Sequence, residues 1–242
     1  MDWVLALFAG FISGIALVVG AAVAWFVSVP KHVVAAVMAF GSGVLISALA
    51  FDLVDEAADN GGFWPTMFGF LAGAIVYVGI NITLDWRNAR NRNSRSSSKG
   101  TGTGIVVGAL LDGIPETAVL GLSLVGGGQL SIPILAAVVI SNLPEGLSAT
   151  ADLKREGRSP AYVFGLWGIT TAACALSALG GFALLQGAPV QATSFVSAIA
   201  AGAILAMICD TMIPEAFDDA KSFTGLVAVI GFFAAFGIHQ LG

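Results

Sequence analysis

"LLDGIPETAVLGLSL", residues 110–124, sets two acids and a helix breaker in an otherwise apolar run. Asp112 and Glu116 are four residues apart, so they share one face of a helix, and Pro115 stands beside them. The composition of the whole chain says what surrounds this stretch. The 242 residues are 57% hydrophobic and only 10% charged, with a mean hydropathy of +0.92. Soluble domains carry about a quarter charged residues, so the chain reads as an all-α, polytopic membrane protein. Its net charge of −5 argues against nucleic-acid binding, which usually needs a basic face. Cys174 and Cys209 lie far apart in apolar segments. They form no disulfide framework or close metal-binding pair and read as small packing residues.

A membrane span needs about 20 mostly apolar residues. Eight stretches qualify: 4–27, 33–54, 63–84, 102–125, 132–151, 161–186, 190–217 and 223–241. The N-terminus has Asp2 and no basic segment, so the first stretch is expected to remain as a span rather than be cleaved. All ten lysines and arginines fall after odd-numbered spans, at Lys31, between Arg87 and Lys99, between Lys154 and Arg158, and at Lys221. Basic loops mark the cytoplasmic side, so both termini are expected outside, in a cytoplasmic or inner membrane. Residues 1–242 then form a single transmembrane domain, with 85–101 a flexible basic cytoplasmic loop. "SGVLISALAFDLVDEA" in span two echoes "AGAILAMICDTMIPEA" in span seven, pairing Gly43 with Gly202, Glu56 with Glu215 and Ala57 with Ala216. Those two spans run in opposite directions, which predicts an inverted repeat of spans one to three and six to eight.

The acids inside the apolar runs carry the chemistry. Glu145 sits in span five, in "ISNLPEGLSAT", with Ser141 and Asn142 within one helical turn of it. A charged side chain at mid-membrane costs about 2.5–3.5 kcal/mol on insertion scales. No lysine or arginine lies inside any expected span, so compensation must come from protons, water or a bound cation. Pro115 and Pro144 each free a backbone carbonyl one turn earlier, at Leu111 and Ile140. Carboxylates beside freed carbonyls make a hard, oxygen-rich pocket that suits a divalent cation. The simpler alternative is that the prolines only kink their helices and the acids are protonated. Asp52 and Asp210 lie near opposite ends of their spans, with Glu56 and Glu215 just beyond them, where interfacial solvation also accounts for them. His32 and His239 fall away from the carboxylates in the linear topology. Ser42 in "FGSG" has no histidine base to make it a nucleophile.

On these residues the chain resembles the ZIP (Zrt-/Irt-like) family of divalent metal transporters. The likeness covers the eight spans, the outward termini and the loop after span three. Its most specific part is the tandem "DGIPET" and "SNLPEG", where the family reads approximately H-N-x-P-E-G twice. The resemblance implies a ZIP-like helix bundle, transport rather than catalysis, and an inward path for a divalent metal. Zinc is the commonest family substrate, and manganese or iron is an alternative. It places the metal on Asp112, Glu116, Ser141, Asn142 and Glu145, with Asp52, Ser177, Asp210 and Glu215 as candidate pathway residues. Asp112 stands where the family has histidine, Gly113 replaces an asparagine, Thr117 a glycine and Ser141 a histidine or similar ligand; Ser177 stands near a lost acid of span six. These departures predict a harder site holding one metal rather than two. The metal is cargo, so no cofactor is expected. The partners are the cation and the lipid bilayer, with a homodimer among the assemblies this reading admits. A metal-binding sensor that has lost transport, and a proton-coupled carrier of another solute, are the competing readings.

Overall fold

The computed structural model describes residues 1–94, 102–220 and 223–241. Among the described residues the chain is helical throughout, without strands. The helices are α1 (Asp2–Phe26), α2 (Lys31–Ala48), α3 (Asp55–Gly61), α4 (Phe63–Ser94), α5 (Gly102–Leu122), α6 (Ile132–Arg155), α7 (Pro160–Leu185), α8 (Val190–Met207), α9 (Ile213–Ala220) and α10 (Thr224–Leu241). Among the described residues six helical stretches are long and apolar enough to cross a membrane: 2–26, 31–61, 63–84, 132–155, 160–185 and 190–217. They coincide with six of the eight expected spans; the other two fall on α5 and α10. Helix α4 continues to Ser94, past the apolar run that ends at Leu84, because its polar tail still contains good helix formers. The remainder of the loop expected at 85–101 lies, from residue 95 onward, outside the described residues.

Large apolar side chains cover the outside of the bundle. Ile75 is 71% exposed, Leu184 85% and Phe233 63%, an exterior suited to lipid. Inside, contact is made by small residues. Helix α1 packs on α6 and α7, α4 on α8, α2 on α10, and α5 on α7. These crossings bring backbone against backbone. A Cβ on Gly73 would collide with the Ile199 carbonyl oxygen, and one on Gly202 with that of Phe70. At the α2–α10 crossing, Gly231 and Gly43 meet the carbonyls of Phe40 and Ala228 in the same way. Small residues are how helices in lipid approach closely enough for dispersion to hold them.

Helix ends follow local rules. Ser131 and Ser159 cap α6 and α7, each accepting from a backbone amide three residues on at 3.3 Å, with Pro133 and Pro160 in the first turn. Gly62, at φ 88°, turns the chain from α3 into α4. Two spans are interrupted rather than ended. A π-helical turn covers Leu49–Val54 between α2 and α3, and another covers Ile208–Met212 between α8 and α9. Leu49 and Ile208 pair in the echo that aligns Gly43 with Gly202, so the same irregularity begins at matching positions. A π turn inserts extra backbone and re-aims the side chains around it. Asp52 sits in the first, and Asp210 and Thr211 in the second.

Candidate metal site

Pro115 and Pro144 lie inside α5 and α6, and both helices continue through them. Neighbours close in on the kinks. A Cβ on Gly41 of α2 would stand 3.2 Å from Ser141 Cα and 3.5 Å from the Ile140 carbonyl oxygen, the carbonyl that Pro144 frees. On the other side, a Cβ on Gly113 would stand 3.0 Å from Cys174 Sγ. Ser177 on α7 donates to the Ile114 carbonyl at 2.8 Å, and Thr117 donates to that of Gly113 at 2.6 Å. Gly113 thus sits against Cys174 of α7, where a larger side chain would press on the thiol, and Thr117 caps the carbonyl of its own preceding turn.

Asp112, Glu116 and Glu145 line one cavity of about 220 Å³ between α2, α5, α6 and the α8–α9 segment. Ser141, Asp152, Thr211 and Glu215 line it too. Five carboxylates therefore border this space, Asp112, Glu116 and Glu145 within the bundle and Asp152 and Glu215 exposed at its edge, where Asp152 pairs with Arg155 at 3.1 Å; among the described residues no lysine, arginine or histidine lines it. Glu116 is 1% exposed, and its Oε2 has no hydrogen-bond partner. Ser141 is buried, and its hydroxyl donates to the Val138 carbonyl at 3.0 Å, which leaves its lone pairs to accept or ligate. Among the described residues no three histidine, cysteine, aspartate or glutamate side chains converge closely enough to grip an ion on their own. The acids are distributed along the cavity.

Asn142 is placed elsewhere. It is 1% exposed and donates from Nδ2 to the Ser13 carbonyl of α1 at 2.8 Å. Its Oδ1 is buried without a partner, and the residue does not line the cavity. Ser177 is committed to α5, as described above. Asp210 is exposed and lines none of the cavities described here. Glu215, by contrast, is exposed yet borders the cavity, within electrostatic reach of Asp112 and Glu145.

Several residues escaped the sequence reading. Tyr77, buried on α4, donates to Asp112 Oδ1 at 2.9 Å. Met38, Met207 and Met212 add thioethers to the cavity wall, where only oxygen donors were expected. A tyrosine or methionine in an apolar run carries no signal of its own, so only the fold could find them. His239, which falls away from the central carboxylates in the linear topology, has its Nδ1 3.0 Å from Asp52 Oδ1. Asp52 and Glu56 line a second cavity, of about 270 Å³, at the other end of the bundle. Cys174 is buried as a packing residue, whereas Cys209 is exposed on the exterior.

The two cavities are separated. Leu53, Val119 and Ile134 border the Asp52 cavity and belong to the main apolar core with Leu45, Leu49, Leu120, Val138, Ile204 and Ile208. The Asp112–Glu145 cavity instead shares Met38, Ser148, Asp152 and Glu215 with an adjoining space of about 220 Å³, bordered by Lys31 and Arg155. It is therefore continuous with the basic end of the bundle.

No protein-family model matches the chain. A protein of Arabidopsis thaliana bearing the name "Putative zinc transporter" is 30% identical to it over 185 residues, 74% of this chain. The match covers 29% of that protein, so the chain spans less than a third of the relative's length. This relationship supports the likeness to zinc-transporting ZIP proteins that the paired proline–glutamate motifs carry.

Proposed function

We propose that this chain, a divergent ZIP-type protein, carries divalent metal cations across a membrane through the Asp112–Glu116–Glu145 cavity. One observation carries the reading: Asp112, Glu116 and Glu145 line one space inside an apolar helix bundle, and among the described residues no basic side chain lines it. Left ionised without a counter-charge, these three would repel one another and bear a heavy desolvation cost. A divalent cation neutralises two charges at once. Distributed acids, in place of a closed cage, suit cargo that must also leave, and such an ion keeps part of its water.

The cation meets Glu116 and Glu145 at the inner end of the cavity, with Asp112 held in place by Tyr77. The Ser141 hydroxyl is a neutral donor. Asp152 and Glu215 lead toward the basic end, which the positive-inside rule makes cytoplasmic. The apolar core closes the opposite end, so this arrangement is open to the cytoplasm. Eight spans with an inverted repeat fit the matched π turns at Leu49 and Ile208 and the matched glycine crossings of α4 with α8 and α2 with α10. Such repeats let two halves rock about a central site.

Zinc is the substrate that the relative's name supports, with manganese or iron as alternatives. The carboxylates favour hard ions, whereas Met38, Met207 and Met212 bring polarizable sulfur. The test is uptake of Zn²⁺, Mn²⁺ and Fe²⁺ into vesicles containing the purified chain, together with metal stoichiometry. Uptake with about one bound ion per chain is expected. Metal binding without uptake would favour a sensor, and proton flux without metal dependence would favour a carrier of another solute.

A further inference from the structure

At the basic end, α1, α2 and α6 enclose a cleft of about 520 Å³, more than twice the 220 Å³ of the metal cavity. Lys31, Lys154 and Arg155 line it, and among the described residues no acid does. A divalent cation would be repelled from such a space. Its remaining wall is largely apolar and includes Val34 and Leu147. Beside it the bundle exterior is apolar as well, with Phe26 78%, Val27 55% and Val33 41% exposed. The cleft thus joins three cations to a lipid-facing surface. Trp25 fixes the level: Lys154 donates to its carbonyl at 2.6 Å and lies 5.5 Å from its ring centroid. A tryptophan–lysine pair of this kind belongs at the boundary between hydrocarbon and headgroups.

We infer that this cleft binds the headgroup of an anionic phospholipid, with the acyl chains leaving along Phe26 and Val33. Lys154 keeps two further ammonium hydrogens for a phosphate oxygen. Arg155 is paired with Asp152 at 3.1 Å, but both side chains are more than half exposed, so the pair is weak and a phosphate can compete for the guanidinium. Helix α2 begins at Lys31 with no side-chain cap, so its positive end also faces the cleft. Basic pockets between membrane helices at this level recognise such headgroups. Lys31 and Arg155 also border the exit from the metal cavity, so an occupied cleft draws their charge away from Asp152 and Glu215. This site depends on the chain crossing a membrane and not on what it carries.

Native mass spectrometry of the purified full chain, exposed in turn to phosphatidylglycerol and phosphatidylcholine, tests the inference. Retention of phosphatidylglycerol over phosphatidylcholine is expected, with affinity falling on the order of fivefold for each charge removed among Lys31→Gln, Lys154→Gln and Arg155→Gln. Arg158→Gln, outside the cleft and beside Glu156, should leave the preference intact. Ala151→Phe fills the cleft without altering charge and should abolish retention. It serves as the second variant if the triple substitution fails to fold. No headgroup preference, or a preference unchanged by both the triple variant and Ala151→Phe, overturns the site. Displacement of the lipid by inorganic phosphate at equal concentration would make it a soluble-anion site and overturn it equally.

Discussion

The chain holds two acidic cavities of similar size, about 220 Å³ around Asp112, Glu116 and Glu145 and about 270 Å³ around Asp52 and Glu56. Their surroundings differ. In the first, Asp112, Glu116 and Glu145 share a space that, among the described residues, no basic side chain lines, and Asp152 at its exposed edge is paired with Arg155. In the second, Asp52 has His239 3.0 Å away, and the other polar lining is neutral, from Asn60, Ser123, Thr193, Ser194 and Ser197. Both contain a carboxylate oxygen with no hydrogen-bond partner, Glu116 Oε2 and Asp52 Oδ2. An acid in a membrane bundle therefore does not by itself mark a strong cation site. Several acids brought together inside the bundle, as Asp112, Glu116 and Glu145 are, do, because a bound ion there relieves mutual repulsion as well as desolvation.

The sharpest test of this contrast is sidedness, since the two cavities should open to opposite faces. In a chain lacking Cys174 and Cys209, a cysteine at Gln129 should react fully with an impermeant thiol reagent added outside, and one at Ser159 should not react. Equal labelling would break the assignment of an outer and an inner cavity. The next largest effect is expected at the inner acids. Glu116→Gln or Glu145→Gln should lower metal uptake about a hundredfold, as losses of groups that bind or support a metal do, while the protein still reaches the membrane. Unchanged transport by both variants would return these acids to a neutral, structural role. Lowering pH should act in the same direction, because protonation removes the charge that holds the ion; uptake measured across a pH series at fixed membrane potential checks this. At the outer cavity, Asp52→Asn should raise the uptake KM only several-fold, with turnover nearly unchanged. His239→Gln should have the opposite effect on KM, because it removes a competing partner for Asp52. Glu56→Gln should be the smallest change, within about twofold, since that side chain is exposed and water solvates it. A loss at Glu56 as large as that at Glu116 would erase the distinction between the cavities.

Much of the helical layout was legible in the sequence because lipid imposes a simple rule. Long apolar runs must be helices: the expected runs at 63–84 and 132–151 fall inside α4 and α6, and those at 4–27 and 161–186 overrun α1 and α7 by one residue. The acids at 112, 116 and 145 were conspicuous for the same reason: charge in an apolar run is costly and needs an explanation. Direction and partners were not legible. The sequence could place Asn142 one residue from Ser141, but not show that one turns to Ser13 of α1 and the other to the cavity. It could set Glu215 near the end of its span, but not foresee that it would border the same cavity as Asp112 and Glu145. Tyr77 reaches Asp112 across 35 positions, and His239 reaches Asp52 across 187. Residue type and local spacing determine where helices form and where charge is out of place. Which side chains meet depends on how helices cross, and that is decided by close backbone approaches such as Gly73 to Ile199 and Gly43 to Ala228, which exist only once the chain has packed.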